Sequence, residues 1–434
     1  MKLKIEKAVY GGAGLAHQTE GKDAGRAVFI PFTLPGEFVE AHLLEQKKAF
    51  SEASLVQILT ASEARTQPAC PHFGQCGGCQ YQHAIYSAQV QMKTAILKET
   101  LGRAGLTTLP AIQIHSGEPW AYRNRARLRI TELNAALRVG YNRRASNQFL
   151  AIHECPILAP LLWHATNVLL AVAAENSSAA HLVRNTTEVE FFTTADQKNL
   201  QMSLFVKKQQ SELKALCEQM QKLIPQLGGA TISLVPTAGT RQRPQNPRQL
   251  ESWGKDGLSY HAAREDYWVG QGSFFQINRF LIDELVQLVT YGRQGAIAWD
   301  LYAGIGLFSR VLAKTFLQVV AVEAAANNLA KSFRGPGRRA VETTTVEFLR
   351  SAVLQRERPE LIVMDPPRAG AGAEVCALLA RISSPEIVYV SCDPTTLARD
   401  LKSLVETGYN VAELHMVDMF PQTFHLETVA ILRR

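Results

Sequence analysis

At 434 residues, with 46% hydrophobic and 20% charged side chains, the chain has an ordinary globular composition and is long enough for about two to four domains. No apolar run approaches the ~20 residues of a membrane helix, and Met1-Lys2-Leu3-Lys4-Ile5-Glu6-Lys7 lacks the continuous apolar stretch of a secretion signal, so a cytoplasmic, membrane-free monomer is expected. A formal charge of +7 and pI ≈ 9.0 favour a polyanionic partner, and seven cysteines in such a compartment point to metal ligands or nucleophiles rather than disulfides.

Residues 1–60 hold short β-like runs, Ala27-Val28-Phe29-Ile30, Phe38 to Leu43 and Ser54 to Leu59, punctuated by Gly11-Gly12-Ala13-Gly14 and Pro35-Gly36, which predicts a small β-barrel. A cysteine- and glycine-rich stretch follows, with Cys70, Cys76 and Cys79 spaced C-x5-C-x2-C, and then an amphipathic helix from about Ile85 to Arg103 that stops at Gly105. Residues 61–92 and 120–265 are read as a central α+β domain. Within it, Trp120 to Ile130 carries Arg123, Arg125, Arg127 and Arg129 at every second position. As a strand this is a cationic stripe over an apolar backing of Ala126, Leu128 and Ile130, suited to gripping phosphates, with pairing of two arginines to carboxylates as the alternative. The polar run from Arg241 to Arg248 reads as a surface insertion. Residues 93–119 and 266–434 form the third domain, where strands and helices alternate to the end as in a Rossmann-like, doubly wound parallel sheet.

In that last domain, Ala298 to Ser309 delivers a strand into a tight Gly304-Ile305-Gly306 turn and a helix, and the next strand ends in Glu323. An acidic residue at that point can accept both hydroxyls of a ribose, so an adenosine-containing cofactor is implied. Ser309 stands where a dinucleotide fingerprint would carry glycine or alanine, which favours S-adenosylmethionine over NAD. Two further apolar runs end in Asp365-Pro366-Pro367-Arg368 and Ser391-Cys392-Asp393-Pro394. Ligands of open α/β sheets bind at the carboxyl ends of strands, so Asp365 and the Cys392 thiol emerge facing the crevice. Cys217 and Cys376 lie within apolar helical runs and read as structural.

The segments Phe274-Phe275-Gln276-Ile277-Asn278, Asp300 to Gly306, Asp365 to Arg368, Ser391 to Pro394 and Asp418 to Thr428 occur in this order, and together they resemble the RNA uracil-5-methyltransferases. The resemblance implies that Gln276, Tyr302, Glu323 and Asp365 contact S-adenosylmethionine, with Gly304 and Gly306 leaving space for it. It also implies methylation of uridine carbon 5. That carbon is a poor nucleophile, so the reaction needs prior attack at carbon 6 by a thiolate and later removal of the carbon 5 proton by a base. Cys392 is the matching nucleophile, and Glu427 the matching base. Two departures stand out: Leu307 replaces an asparagine found in some members, and Thr343 to Glu347 has no clear counterpart of the adenine-contacting residue.

Cys70, Cys76 and Cys79, with Cys155 downstream, supply the four thiolates of a [4Fe-4S] cluster, an expectation strengthened by resemblance to the cluster-bearing members. Zinc held by the three cysteines with His72 or His83 is the competing site. The segments Val9 to Leu15 and Ile30 to Glu37 resemble a TRAM domain, an RNA-binding module of the OB-like barrel class. Cluster and barrel together favour 23S ribosomal RNA as substrate, with a transfer-RNA T-loop uridine as alternative. An RNA cytosine-5-methyltransferase is the rival enzyme class, but its usual Thr-Cys and Pro-Cys dipeptides do not occur here. A non-enzymatic RNA-binding protein is the rival outside enzymes.

Overall fold

The computed structural model describes residues 1–175, 177–235, 247–325 and 329–434. The chain divides into two compact units, one of Met1–Pro119 with Leu349–Arg434 and the other of Trp120–Phe348. The polar segment 241–246 lies outside the described residues.

In the first unit the amino-terminal segment forms a six-stranded sheet in the order Lys2–Lys4, Phe38–Gln46, Phe50–Thr60, Ala27–Pro31, Ala13–His17, Lys7–Ala8. Period-two alternation turns Leu3, Val28, Ile30, Val39, Ala41 and Ala53 into one core. Glu37, fully buried, caps this sheet: it accepts from Leu34 N–H at 2.8 Å and pairs with Arg65 at 2.6 Å. Burial pushes its carboxyl up, but the Arg65 and Leu34 hydrogen bonds outweigh burial and hold it below the usual range.

The helix Tyr86–Arg103 follows, ending at Gly105 in the left-handed region (φ +90°). It buries Lys93 completely, and the Lys93 ammonium bonds to the equally buried Asp418 carboxylate at 2.6 Å and to the Phe420 carbonyl at 2.9 Å. The carboxyl-terminal strands of this unit run in the order Leu361–Met364, Glu386–Ser391, Glu427–Arg433, Asn410–Val417, Ile112–His115. The first pair is parallel, but Glu427–Arg433 is antiparallel to both of its neighbours. A uniformly parallel sheet was the expectation. The difference arises because Asp418 to Leu426 contains no crossover helix, so the chain returns as an antiparallel strand.

The second unit contains a seven-stranded sheet in the order Phe149–Ala151, Ala136–Asn142, Arg125–Leu133, Thr186–Thr193, Leu200–Val206, Leu227–Leu234, Arg248–Gly254. Helices Pro160–Ala173 and Leu213–Gln221 pack against it, burying Cys217, and Ser178–Arg184 packs on those two helices. The unit also holds three parallel strands, Arg338–Glu342, Phe316–Glu323 and Gly295–Leu301, with the helix Leu307–Leu312 between the last two in sequence.

Candidate active site

In the second unit, the strand Gly295–Leu301 ends in a turn whose backbone is unusual. Tyr302 (φ +62°), Gly304 (φ +55°) and Gly306 (φ +85°) all lie in the left-handed region, and a bulky side chain there marks stored strain of the kind found at ligand sites. The two glycines differ in their reason. A Cβ on Gly304 would meet nothing within 4 Å, leaving open space beside the turn, whereas one on Gly306 would press on Leu329 at 2.9 Å. Glu323 braces this turn: one carboxylate oxygen accepts from Gly304 N–H at 3.0 Å and the other from Ala325 N–H at 3.1 Å. Two oxygens offer about four acceptor sites, so capacity for a ribose remains. Gln276 is buried, and its carbonyl accepts from Asn124 at 3.0 Å.

Asp300, quoted in the motif but given no role from sequence, lies beneath the turn. Its carboxylate accepts from the Ser309 N–H at 2.9 Å and from the Ser309 hydroxyl. Burial raises its pKa to about 7 despite those bonds, with the Glu323 charge adding to the rise. Ser309, the departure from a dinucleotide fingerprint, is thus the residue that ties helix to strand. The unassigned segment near Thr343 also resolves: Thr344 and Glu347 bond reciprocally in a capping box that starts the helix Thr345–Gln355.

In the first unit, Asp393 accepts from Thr395 and Thr396 N–H groups and caps the helix Pro394–Val405, which fixes the turn carrying Cys392. Ser391 pairs with Thr428 across the antiparallel ladder, so continuing the register by one residue sets Glu427 opposite Cys392. Asp365 leaves the neighbouring buried strand Leu361–Met364. Burial, then the Glu427 and Asp365 charges, push the Cys392 thiol up to about 11, while the Arg368 charge and hydrogen bond pull it back. Burial and Asp365 likewise hold the Glu427 carboxyl well above the carboxylate range, again opposed by Arg368. Arg368 is thus the positive charge that opposes burial at both Cys392 and Glu427. Arg368 is the group sequence reasoning passed over; its signal was its place directly after Asp365-Pro366-Pro367. It also meets His425 at 3.4 Å.

The arginine stripe forms as a strand from Arg125, with Ala126, Leu128 and Ile130 buried behind it. Arg123 precedes that strand and pairs its backbone with Leu158 and Asn278. The other three are engaged within the unit. Arg125 lies on the Phe192 ring at 4.1 Å and near Glu190, Arg127 lies on Phe205 at 3.8 Å and pairs with Glu188, and Arg129 bonds to Asn142 at 2.6 Å. The carboxylate pairing held open from the sequence thus occurs at Arg125 and Arg127.

Cys70, Cys76 and Cys79 share one loop of the first unit, where Gly78 N–H points at the Cys76 sulfur at 3.4 Å, while Cys155 belongs to the second unit. Among the described residues no group of three or more His, Cys, Asp or Glu side chains is arranged to hold a metal ion. His83, a candidate zinc ligand by sequence, is buried against the Phe32 and Phe73 rings, and burial with the Arg65 charge lowers its pKa to about 4. Cys217 and Cys376 are buried, and burial pushes each thiol up to about 12, as suits packing residues. Among the described residues no helix is long and apolar enough to cross a membrane.

Residues 85–346 and 337–434 match the family described as tRNA (Uracil-5-)-methyltransferase, and residues 1–56 match the TRAM domain. The 23S rRNA (uracil(1939)-C(5))-methyltransferase of Pectobacterium atrosepticum is 33% identical over 95% of this chain and 90% of its own length. An uncharacterized RNA methyltransferase of Aquifex aeolicus is 31% identical over 100% of this chain and 98% of its own. Among solved structures, the Pyrococcus abyssi tRNA (uracil-54, C5)-methyltransferase in complex with S-adenosyl-L-homocysteine shares the fold, with a TM-score of 0.75, 22% identity and 100% coverage of both chains.

Proposed function

We propose that this chain, which belongs to the tRNA (uracil-5-)-methyltransferase family, is an S-adenosylmethionine-dependent enzyme that methylates carbon 5 of a uridine in RNA, with 23S ribosomal RNA as its substrate. The observation that carries the reading is that Cys392 and Glu427 each lie one residue beyond the Ser391–Thr428 ladder pair, with the Asp365 and Arg368 charges acting on both. The ribosomal target rests on relatives such as the Pectobacterium atrosepticum enzyme.

S-adenosylmethionine supplies the methyl group as a cation equivalent and leaves as S-adenosylhomocysteine. The opening at Gly304 and the braced Glu323 carboxylate suit it, and Gln276, Tyr302, Gly306 and Asp365 complete its proposed contacts. Cys392 Sγ, once deprotonated, bonds to carbon 6 of the uracil, so that carbon 5 carries the electron pair that takes the methyl group. The protons of the Cys392 thiol and the Glu427 carboxyl having left to solvent, the Glu427 carboxylate accepts the carbon 5 proton. The electron pair of that C–H bond re-forms the ring double bond and expels Cys392 as thiolate. Arg368 is the positive charge that opposes the raised pKa values of both groups. A uracil within folded RNA reaches the thiol by flipping out of its stack.

The proposed organisation is a barrel over 1–60, a central domain of 61–92 with 120–265, and a catalytic domain of 93–119 with 266–434, in a cytoplasmic monomer. Arg123, Arg125, Arg127 and Arg129 are proposed to face the RNA backbone. Aromatic support at Arg125 and Arg127 favours this, because a guanidinium set over a ring can keep donors at its edge for phosphate. Cys70, Cys76, Cys79 and Cys155 are the proposed ligands of a [4Fe-4S] cluster. Four thiols match its donor set and the Gly78 N–H to Cys76 bond is of the type that tunes cluster thiolates. Among the described residues the geometry is not that of an assembled site, and no catalytic step is routed through it.

Mapping 5-methyluridine in ribosomal and transfer RNA from cells with and without the gene tests the function. Loss of a single 23S position is expected. Loss confined to transfer RNA overturns the target, and no loss overturns the activity. Iron and sulfide analysis of anaerobically purified protein tests the cluster, and stoichiometric zinc without iron would rule it out.

A further inference from the structure

The turn between strands Lys7–Ala8 and Ala13–His17 of the amino-terminal sheet is Val9-Tyr10-Gly11-Gly12. Gly11 (φ +103°) and Gly12 (φ +89°) give the chain its reversal, closed by Val9 N–H to Ala13 O at 2.9 Å. Tyr10 projects from the head of this turn. Its ring meets Phe424 edge-on, with centroids 5.2 Å apart and planes at 88°. Its hydroxyl lies 3.4 Å from both the Cys392 carbonyl oxygen and an Asp393 carboxylate oxygen. The turn is held on this loop: Gly12 has room only for a hydrogen, since a Cβ there would meet Gln80 at 2.8 Å, and Gln80 N–H donates to the Gln422 carbonyl at 2.9 Å.

Both ends of the chemistry come together at this tyrosine. Asp393 uses one carboxylate oxygen to cap the helix behind Cys392 and offers the other to Tyr10. The Phe424 ring packs on His425 with centroids 4.1 Å apart and planes tilted by 40°, and His425 meets Arg368 at 3.4 Å, the cation that acts on both Cys392 and Glu427. A tyrosine whose task was to grip RNA would present its hydroxyl and ring to solvent. This one spends its ring edge on the base-bearing loop and its hydroxyl on the nucleophile turn.

We propose that Tyr10 of the amino-terminal barrel is a positioning residue for methyl transfer, holding the Cys392 turn against the Pro421–Thr428 loop. The barrel then completes the active site in addition to any hold it has on RNA. The inference rests on the methyltransferase reading above, and the test separates the two.

The full-length protein is incubated with S-adenosylmethionine and 5-fluorouridine-substituted, in vitro transcribed 23S ribosomal RNA, and the rate of the covalent protein–RNA adduct is measured at saturating RNA, with RNA affinity measured separately. Tyr10→Phe, which keeps the ring, is expected to slow adduct formation about 5-fold, and Tyr10→Leu about 30-fold, as loss of one hydrogen bond and then of the aromatic contact predicts. RNA affinity should stay within about twofold for Tyr10→Phe, so the loss appears in the rate and not in binding. Phe424→Leu should slow the rate less in a Tyr10→Leu background than in the wild type, because the two act through one contact. Wild-type adduct formation with both Tyr10 variants at the wild-type rate overturns the role of Tyr10 and leaves the methyltransferase intact, as does a loss confined to RNA affinity. Failure of the wild type itself to form the adduct overturns the methyltransferase reading.

Discussion

Glu427 begins the last strand one residue beyond the Ser391–Thr428 pair, and its charge acts on the Cys392 thiol one residue beyond the end of the neighbouring strand. Burial and the Asp365 charge raise the Glu427 carboxyl, while burial and then the Glu427 charge raise the Cys392 thiol. The proposed reaction, which needs a thiolate at Cys392 and a carboxylate at Glu427, therefore works against burial at both groups.

The two residues fail differently when replaced. Cys392→Ala should abolish both methylation and the adduct with 5-fluorouridine RNA. Glu427→Gln removes only the base, so methylation should fall by about 10²–10⁴-fold while a covalent link accumulates on ordinary RNA. Denaturing gels of each variant with RNA and S-adenosylmethionine distinguish the two, and equal adduct levels in Glu427→Gln and wild type would remove Glu427 from the base role.

Arg368 lowers the pH at which the buried thiol ionises. With its pKa raised to about 11, Cys392 gains thiolate as pH rises, so its alkylation by iodoacetamide should accelerate steadily from pH 7 to 10 without levelling off. Arg368→Met takes away the opposing charge and hydrogen bond, and alkylation at pH 8 should slow by about tenfold. Mass spectrometry of the Cys392 peptide gives the rate, and a profile that levels near pH 8 would contradict the raised pKa.

Lys93 and Asp418 form an ion pair with both side chains fully buried. Breaking such a pair strands a charge away from water, so Lys93→Met should destabilise the fold by about 3–5 kcal/mol. Lys93→Met with Asp418→Leu should recover much of this, because no charge is left unpaired. Denaturant titrations of both variants check the order of stability, and a double variant no better than the single one would locate the loss in packing.

Gly304 has a left-handed backbone and open space where a side chain would go. Gly304→Ala should cost about 1–2 kcal/mol of stability from the backbone alone. If the space belongs to the cofactor, S-adenosylhomocysteine affinity should fall at least tenfold, whereas Gly306→Ala should act chiefly on stability through Leu329. Calorimetric binding alongside thermal unfolding separates the two, and unchanged affinity in Gly304→Ala would move the cofactor elsewhere.

Much of this was readable along the chain because it depends on local order. Strand ends followed by Asp365-Pro366-Pro367-Arg368 and Ser391-Cys392-Asp393-Pro394 advertise themselves through apolar runs and the prolines that stop them. The barrel strands, the helix ending at Gly105 and the two buried cysteines were legible for the same reason. The Arg125 to Arg129 alternation was visible as a period of two, but its carboxylate partners, Glu190 and Glu188, sit on a strand some sixty residues away, and only strand pairing brings them adjacent.

The sequence by itself determined the identity of the reactive groups and the turns that expose them, since side-chain chemistry and backbone freedom are properties of residues and their immediate neighbours. Tertiary structure alone decided which groups share a charge. The antiparallel return of Glu427–Arg433, the action of the Arg368 charge on both Cys392 and Glu427, and the arrival of Tyr10 at the Cys392 turn from 382 residues away are products of packing, because electrostatic coupling and hydrogen bonds depend on distance in space and not on separation along the chain.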